Sequence, residues 1–296
     1  MRFRRVQGAV RGGFGYHAAL TVSRYSAAAS GGGGMDGRIM RKLFADRARG
    51  LASLFAGIVL AAALSCAGCT FLEEAASSRE SPVSLETTVP ESEALDSAAY
   101  ASSGITFEEV NGNVPSFNEA DVAYARENEG FEYYAPLDWQ GRCTGAVACL
   151  GEETMPKKGE KRGSISSIHP SGWHSVRYGF IDGESLYNRS HLIAWKLGSE
   201  NANDRNLVTG TRFMNAEGML PFEEEVIRYI ERTGNHILYR AVPVFSEDEL
   251  LCRGVQMEAF SIEDGGEGVS FNVFCPNVQP GISIDYATGD NELDYR

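Results

Sequence analysis

The stretch Leu186–Val226, LYNRSHLIAWKLGSENANDRNLVTGTRFMNAEGMLPFEEEV, decides how the chain is read. It packs one histidine, five asparagines and a run of glutamates between apolar anchors such as Leu192, Ile193, Trp195, Leu207 and Val208. Its first part, within SLYNRSHLIAW, alternates with the two-residue period of a strand that ends in a loop. Its last part leads into a helix over Pro221–Thr233, with Phe222, Val226, Tyr229 and Ile230 on one side and charges on the other. Pro221 suits a first helical turn, the glutamates favour the positive end of the helix dipole, and Gly234 with Asn235 ends the element. A strand, a return and a helix can carry His191, Asn215 and Glu223 into one cleft.

Beyond this stretch, HILYRAVPVF, GVQMEAFSIE and SFNVFCPNVQ read as three consecutive strands. The predicted class is α+β, a central antiparallel sheet with flanking helices. Upstream, GSISSI and WHSVRYGFI also look like strands, separated by a turn at His169–Trp173.

The N-terminal third has a different composition. Residues 1–34 are crowded with glycine and arginine and show no helix or strand period, which predicts a disordered extension or sequence ahead of the true start. Residues 35–69 place Arg38, Arg41, Lys42, Arg47 and Arg49 before the apolar run LASLFAGIVLAAALSCAGC, the layout of an export signal. The ending CAGC resembles the lipobox of bacterial lipoproteins and makes Cys69 the expected lipidation site, although leucine is more usual where Cys66 stands. A plain transmembrane anchor is the alternative, because Leu51–Leu72 is free of charge and approaches the roughly 20 residues that span a bilayer. Either way the rest of the chain is expected outside the cytoplasm, on the cell surface or secreted. Residues 70–104, rich in Ser, Ala and Glu with prolines at 82 and 90, are expected to be a disordered tether. The folded domain is expected to span 105–296.

Within it the cysteines Cys143, Cys149, Cys252 and Cys275 form an even set in an oxidising setting. Pairs 143–149 and 252–275 are the disulfide candidates; a four-cysteine zinc site lacks the usual closely spaced ligand pairs, and free thiols are the third option. Residues 106–296 hold 31 acidic against 16 basic side chains, a net of −15, which argues against broad attraction to a polyanion. Lys157–Lys196 is the exception, with seven basic residues against Glu160, Asp182 and Glu184. A basic wall leading into His191 suits a phosphate-bearing substrate, though a solvated loop carries similar charge.

Hydrolysis of a phosphodiester needs an activated water, neutralised phosphate charge and help for the leaving oxygen. A histidine with an ordinary pKa near 6.5 suits the first task, and a hard cation that keeps most of its waters can take a single asparagine oxygen from the protein. At this point NRSHLIAW (188–195), NLVTGTRFMNAEGMLPFE (206–223), TGNHILYRAVPVF (233–245) and VQPGISIDYATGD (278–290) can be taken together. The region from about Trp139 onward resembles the extracellular DNA/RNA non-specific endonucleases of the ββα-metal (His-Me finger) superfamily, in the branch that includes the streptococcal DNases.

That resemblance implies a metal-dependent endonuclease acting on DNA, and on RNA as a second substrate, with little sequence preference. It implies His191 as general base, Asn215 as the ligand of magnesium (manganese as the alternative), and Asn206 as the residue orienting the histidine loop. It further implies Glu223 near the metal waters and Arg189 as a phosphate or structural contact. Arg162, Lys161, Arg205 and Arg212 are candidate phosphate contacts, and a monomer is expected. Many relatives read DRGH where this chain reads NRSH at Asn188–His191, so a carboxylate is lost and a serine replaces glycine. That departure leaves room for a catalytically inactive nucleic-acid-binding lipoprotein. A serine hydrolase built on Ser190 is disfavoured, since Ser190 and His191 are adjacent and no GxSxG elbow occurs.

Overall fold

A computed structural model describes residues 81–89 and 96–295; the predicted extension, the export signal and Cys69 lie outside the described residues. No helix among the described residues is long and apolar enough to cross a membrane. In chain order the strands are β1 (Glu108–Glu109), β2 (Glu132–Tyr134), β3 (Ala146–Leu150), β4 (Tyr187–His191), β5 (Leu207–Thr211), β6 (Ile237–Val244), β7 (Gly254–Ser261), β8 (Ser270–Pro276), β9 (Ile282–Ile284) and β10 (Asn291–Leu293). The α-helices are α1 (Ser97–Ser103), α2 (Glu119–Glu127), α3 (Trp195–Gly198) and α4 (Leu220–Thr233).

Six strands form one sheet in the order β1-β8-β7-β6-β3-β2, with every pairing antiparallel. The three strands expected at HILYRAVPVF, GVQMEAFSIE and SFNVFCPNVQ are its centre, and the α+β class holds. Residues of β6 are buried along its whole length, because the sheet is covered on both faces. On one face α4 lays Val226, Tyr229 and Ile230 against Met257, Ala259 and Val273. On the other, Ala125 of α2 and Val83 pack over Val147, Cys149 and Leu238. Two-sided burial also reaches polar side chains: in β7 Val255, Met257 and Ala259 join the α4-side cluster while the intervening Gln256 and Glu258 are buried as well.

β3 and β6 are hydrogen-bonded neighbours, Ala146 opposite Ala241 and Leu150 opposite Ile237, yet 86 residues separate them in the chain. That excursion holds the β4–β5 hairpin, paired from Tyr187↔Thr211 to His191↔Leu207, and then α4. A hairpin followed by a helix is therefore mounted as a unit on the sheet.

Several sequence expectations change. GSISSI and WHSVRYGFI are not strands; apart from the single bridge Arg177↔Ser185, residues 163–181 are loop. Side chains hold this loop in place of a ladder: Arg189 donates through Nη2 to the Ser166 carbonyl at 2.9 Å, and Thr209 Oγ1 donates to that of Ser171 at 2.8 Å. The four cysteines are free and buried, in contrast to the disulfides proposed at 143–149 and 252–275. Cys143 and Cys149 lie in clusters on opposite sides of the sheet. Cys275 stands opposite Val255, three positions from Cys252, so the pair is out of register. The segment read as a tether is anchored to the fold at several of its described residues. Val83 and Val89 are buried, Thr87 Oγ1 donates to Gln256 at 2.7 Å, and α1 buries Tyr100 beside Phe274. Its few apolar residues suffice because each meets a sheet face already lined with partners.

Candidate active site

The hairpin and α4 wall a cleft of about 710 Å³ whose lining includes His191, Asn215, Glu223, Arg162, Arg189 and Arg212. Six of the predicted residues thus share one cavity. Lys161 and Arg205 are exposed and do not line it. Asn206 is buried behind it.

His191 ends β4 and is 7% exposed. Its Nε2 lies 3.2 Å from the Asn201 carbonyl oxygen, and its Nδ1 lies 3.2 Å from Arg162 Nη2. A carbonyl can only accept and a guanidinium can only donate, so the hydrogen sits on Nε2 and the lone pair on Nδ1. Burial lowers the imidazole pKa to about 4; the Arg162 charge pushes the same way, and the Asn201 hydrogen bond opposes. The ring is neutral at physiological pH, with its basic nitrogen beside Arg162.

Asn206 makes the loop after His191 rigid. Its Oδ1 accepts from Ile193 N–H at 2.9 Å and its Nδ2 donates to the Ile193 carbonyl at 3.0 Å. One carboxamide thus satisfies both backbone groups of a residue two positions past the histidine, in a place without water. Tyr239 Oη adds a bond to the Leu192 carbonyl at 3.2 Å. The sequence expectation for Asn206 was an orienting role, and its position behind the cleft makes it a positioning residue.

Asn215 lies in a π-helical turn, Met214–Met219, that runs directly into α4 with no break in backbone conformation. The helix therefore starts before the predicted Pro221. Thr211 Oγ1 accepts from Met214 N–H at 3.0 Å and Gln279 Oε1 from Phe213 N–H at 3.2 Å, which caps it. Asn215 and Glu223 are eight residues apart on this continuous helix and both reach the cleft. No hydrogen bond engages the Asn215 carboxamide among the described residues. Glu223 is half-buried, and desolvation raises its carboxyl to about 7; Arg162 and Lys196 pull it down while Glu224 pushes it up. An under-neutralised carboxyl and an uncommitted amide oxygen in the same cleft suit a hydrated divalent cation. Among the described residues no three His, Cys, Asp or Glu side chains converge as a metal cage, so such an ion would keep most of its waters.

Arg189 lines the cleft and also makes contacts within the fold. Its guanidinium donates to the Ser166 and Ile168 carbonyls and stacks over Trp173 with its carbon 3.9 Å from the ring centroid. Ser190 is fully buried and does not line the cleft, which removes the serine-hydrolase alternative. Sequence reasoning missed the Asn201 carbonyl, because a backbone acceptor has no residue-type signature. It also missed Asn277, whose Nδ2 donates to the Thr209 and Cys252 carbonyls, each at 3.0 Å, while its Oδ1 accepts from Thr211 N–H at 2.8 Å. This side chain ties the hairpin to the end of β8.

Comparison with known proteins agrees with this geometry. Residues 121–262 match the family described as DNA/RNA non-specific endonuclease. A deoxyribonuclease of Streptococcus dysgalactiae subsp. equisimilis is 27% identical over 197 residues, covering 53% of this chain and 59% of that protein, so the chain spans about three-fifths of that relative's length. The metal-free crystal structure of NucA from Streptococcus agalactiae superposes with a TM-score of 0.54 at 25% identity, covering 64% of this chain and 87% of NucA. Its magnesium-bound form gives 0.55 at 24% identity, covering 64% and 88%. The segment that carries the hairpin, the helix and the cleft is thus similar to the DNA/RNA non-specific endonuclease family over residues 121–262.

Proposed function

We propose that the protein is an exported endonuclease that hydrolyses phosphodiester bonds of DNA, and of RNA as a second substrate, with a divalent metal ion as cofactor. The observation that carries the reading is the state of His191: a neutral, buried imidazole with its Nδ1 lone pair toward a cleft that also holds Asn215 and Glu223. The region outside the described residues is assigned the export signal, with lipid attachment at Cys69.

His191 Nδ1 accepts a proton from water as the water oxygen attacks phosphorus, and the bond to the 3′ oxygen breaks on the opposite side, the departing alkoxide taking a proton from solvent water. The products carry a 5′ phosphate and a 3′ hydroxyl. The Asn201 carbonyl fixes the tautomer and gains as the ring becomes charged, since it accepts from Nε2–H. Asn206 holds the following loop, so the ring keeps its angle through the proton transfer. Arg162 sits on the basic nitrogen and has to move aside for water; its guanidinium is then free to pair with a phosphate oxygen. Asn215 Oδ1 would ligate the ion directly and Glu223 would hold its waters. When bound, a magnesium or manganese ion supplies charge neutralisation at the phosphate and the leaving oxygen. The magnesium-bound form of the related NucA supports that choice.

Digestion of plasmid DNA and RNA by the purified chain, with and without EDTA and beside His191→Ala, tests the reading. Cleavage is expected only with metal and the native histidine. DNA left intact but retarded on a gel would instead favour a binding protein without catalysis. Cleavage that survives both EDTA and His191→Ala would overturn the assignment of these residues.

A further inference from the structure

We infer that Trp195, Leu220 and Ile227 form a base-binding wall beside the scissile phosphate, so that the cleft takes single-stranded nucleic acid in preference to duplex; this rests on the nuclease reading above. All three side chains line the cleft that contains His191, Asn215 and Glu223.

The helix explains how they meet. Leu220, Glu223 and Ile227 follow one another at helical spacing, so they share one face of α4. The core face is a different one, carried by Val226, Tyr229 and Ile230. A helix face outside the core is ordinarily polar, yet this one sets two aliphatic side chains around its carboxyl, and Leu220 is 39% exposed. Trp195 begins α3, which packs against α4. It is half-buried and joins none of the hydrophobic clusters of the fold. Trp173, the other tryptophan of the cleft, already carries the Arg189 guanidinium on its ring. An indole and two aliphatic groups at the wall of a polar cleft are apolar surface that the core has not used.

Chemistry selects the occupant. Arg162 and Lys196, both exposed, line the same cleft and favour an anion, while the wall favours a flat apolar ring. A nucleotide joins the two in one molecule. Glu223, between Leu220 and Ile227 on the helix face, puts the wall next to the groups proposed to act on the phosphate. In a duplex each base is stacked on both faces and paired at its edge, so it meets a wall only after unstacking and unpairing, a cost that a single strand escapes. Every base has a π-face, so stacking selects the strand state without selecting a sequence.

The test is equilibrium binding to the full chain in EDTA at physiological ionic strength, read by anisotropy of fluorescein-labelled probes of equal length: a mixed-sequence DNA single strand, its duplex, and a strand with the same phosphates but abasic sites in place of its central bases. The intact single strand is expected to bind about tenfold more tightly than either of the others. Trp195→Ala should weaken single-strand binding about tenfold and leave the other probes within about twofold, while Trp195→Phe, which keeps a ring, retains most of the affinity. Ile227→Ser should act in the same direction and more weakly. Thermal melts identify any variant that fails to fold, and the intact and abasic strands then decide on the wild type alone. A wild-type chain that binds all the probes alike, or a folded Trp195→Ala that holds the single strand as wild type does, would overturn the wall. Single-strand preference in a wild-type chain that cuts nothing with metal would sink the catalytic reading and keep the wall. Metal-dependent cleavage without that preference would do the reverse.

Discussion

Removing Arg162 should make His191 a stronger base. In the folded protein the imidazole falls from 6.5 to about 4, first through burial and then through the Arg162 charge at 3.2 Å from Nδ1. Arg162 is exposed, so water screens part of its effect, and a neighbouring charge at this range typically shifts a pKa by about 1 to 3 units. With burial as the larger cause, Arg162→Ala should return about one pH unit, leaving the histidine near 5. The sign follows from charge: a cation beside the ring disfavours a second cation, so its removal favours protonation. At pH 5 the neutral fraction of the base would drop from roughly nine-tenths to about a half.

Two measurements check this. Ring NMR of isotopically labelled histidine, with the His191 signal assigned by His191→Ala, reports the pKa directly. The pH dependence of kcat/KM at saturating metal reports the free enzyme's acid limb, which should move upward in the variant even if its maximum rate falls. Saturating metal matters because Glu223, near 7, would otherwise titrate within the same range. An unchanged or lowered His191 pKa in Arg162→Ala would refute the contact as a determinant of basicity.

Other perturbations have equally definite outcomes. Asn206→Ala strands the N–H and C=O of Ile193 in the interior; at about 1–3 kcal/mol for each group, denaturant unfolding should show a loss of about 2–6 kcal/mol, together with lower kcat. Gly210→Ala would place a Cβ 2.3 Å from Ser190 Oγ and 2.6 Å from Met214 Cε, so chemical denaturation should register a cost of about 1–3 kcal/mol from overpacking beneath the site. Arg240→Ala leaves Glu258 buried without the guanidinium that holds it, and a loss of about 3–5 kcal/mol in unfolding free energy is expected. His191 also links folding to acid: its folded pKa is below the unfolded value, so its stabilisation is complete above about 6.5 and is lost as pH falls toward 4. His191→Gln should flatten the pH dependence of stability over that window, and an unaltered slope would argue that the ring is not buried neutral.

The central strands and α4 were legible because their signals are local. VQMEAF alternates with the period of a strand, ILYRAV is largely apolar, and Phe222, Val226, Tyr229 and Ile230 repeat with helical spacing. Elements held by distant partners escaped. β3 is a five-residue strand whose only local mark is AVACL, and its placement comes from pairing with β6 across the entire excursion. The loop 163–181 has strand-like residues but joins no ladder beyond one bridge, and Arg189 and Thr209 hold it instead. Thr87 and Thr88 pass for tether residues until Gln256, on the sheet, accepts from one and donates to the other.

The division within the site follows the same logic. The residues proposed to meet the reacting groups, His191, Asn215 and Glu223, carry their chemistry in their side-chain types; the resemblance of the motifs around them points to all three, and they share the cleft. Residues that hold those groups in place, Asn206, Asn277 and the Asn201 carbonyl, act on backbone atoms, and any of the chain's other asparagines has the same local appearance. What distinguishes Asn206 is that the Ile193 peptide is buried with no strand or helix to satisfy it. The hairpin's ladder stops at its closed end, His191↔Leu207, where the connecting loop begins and His191 reaches the cleft. The carboxamides supply the hydrogen bonds that the ladder cannot, and for that reason the imidazole can be both buried and fixed.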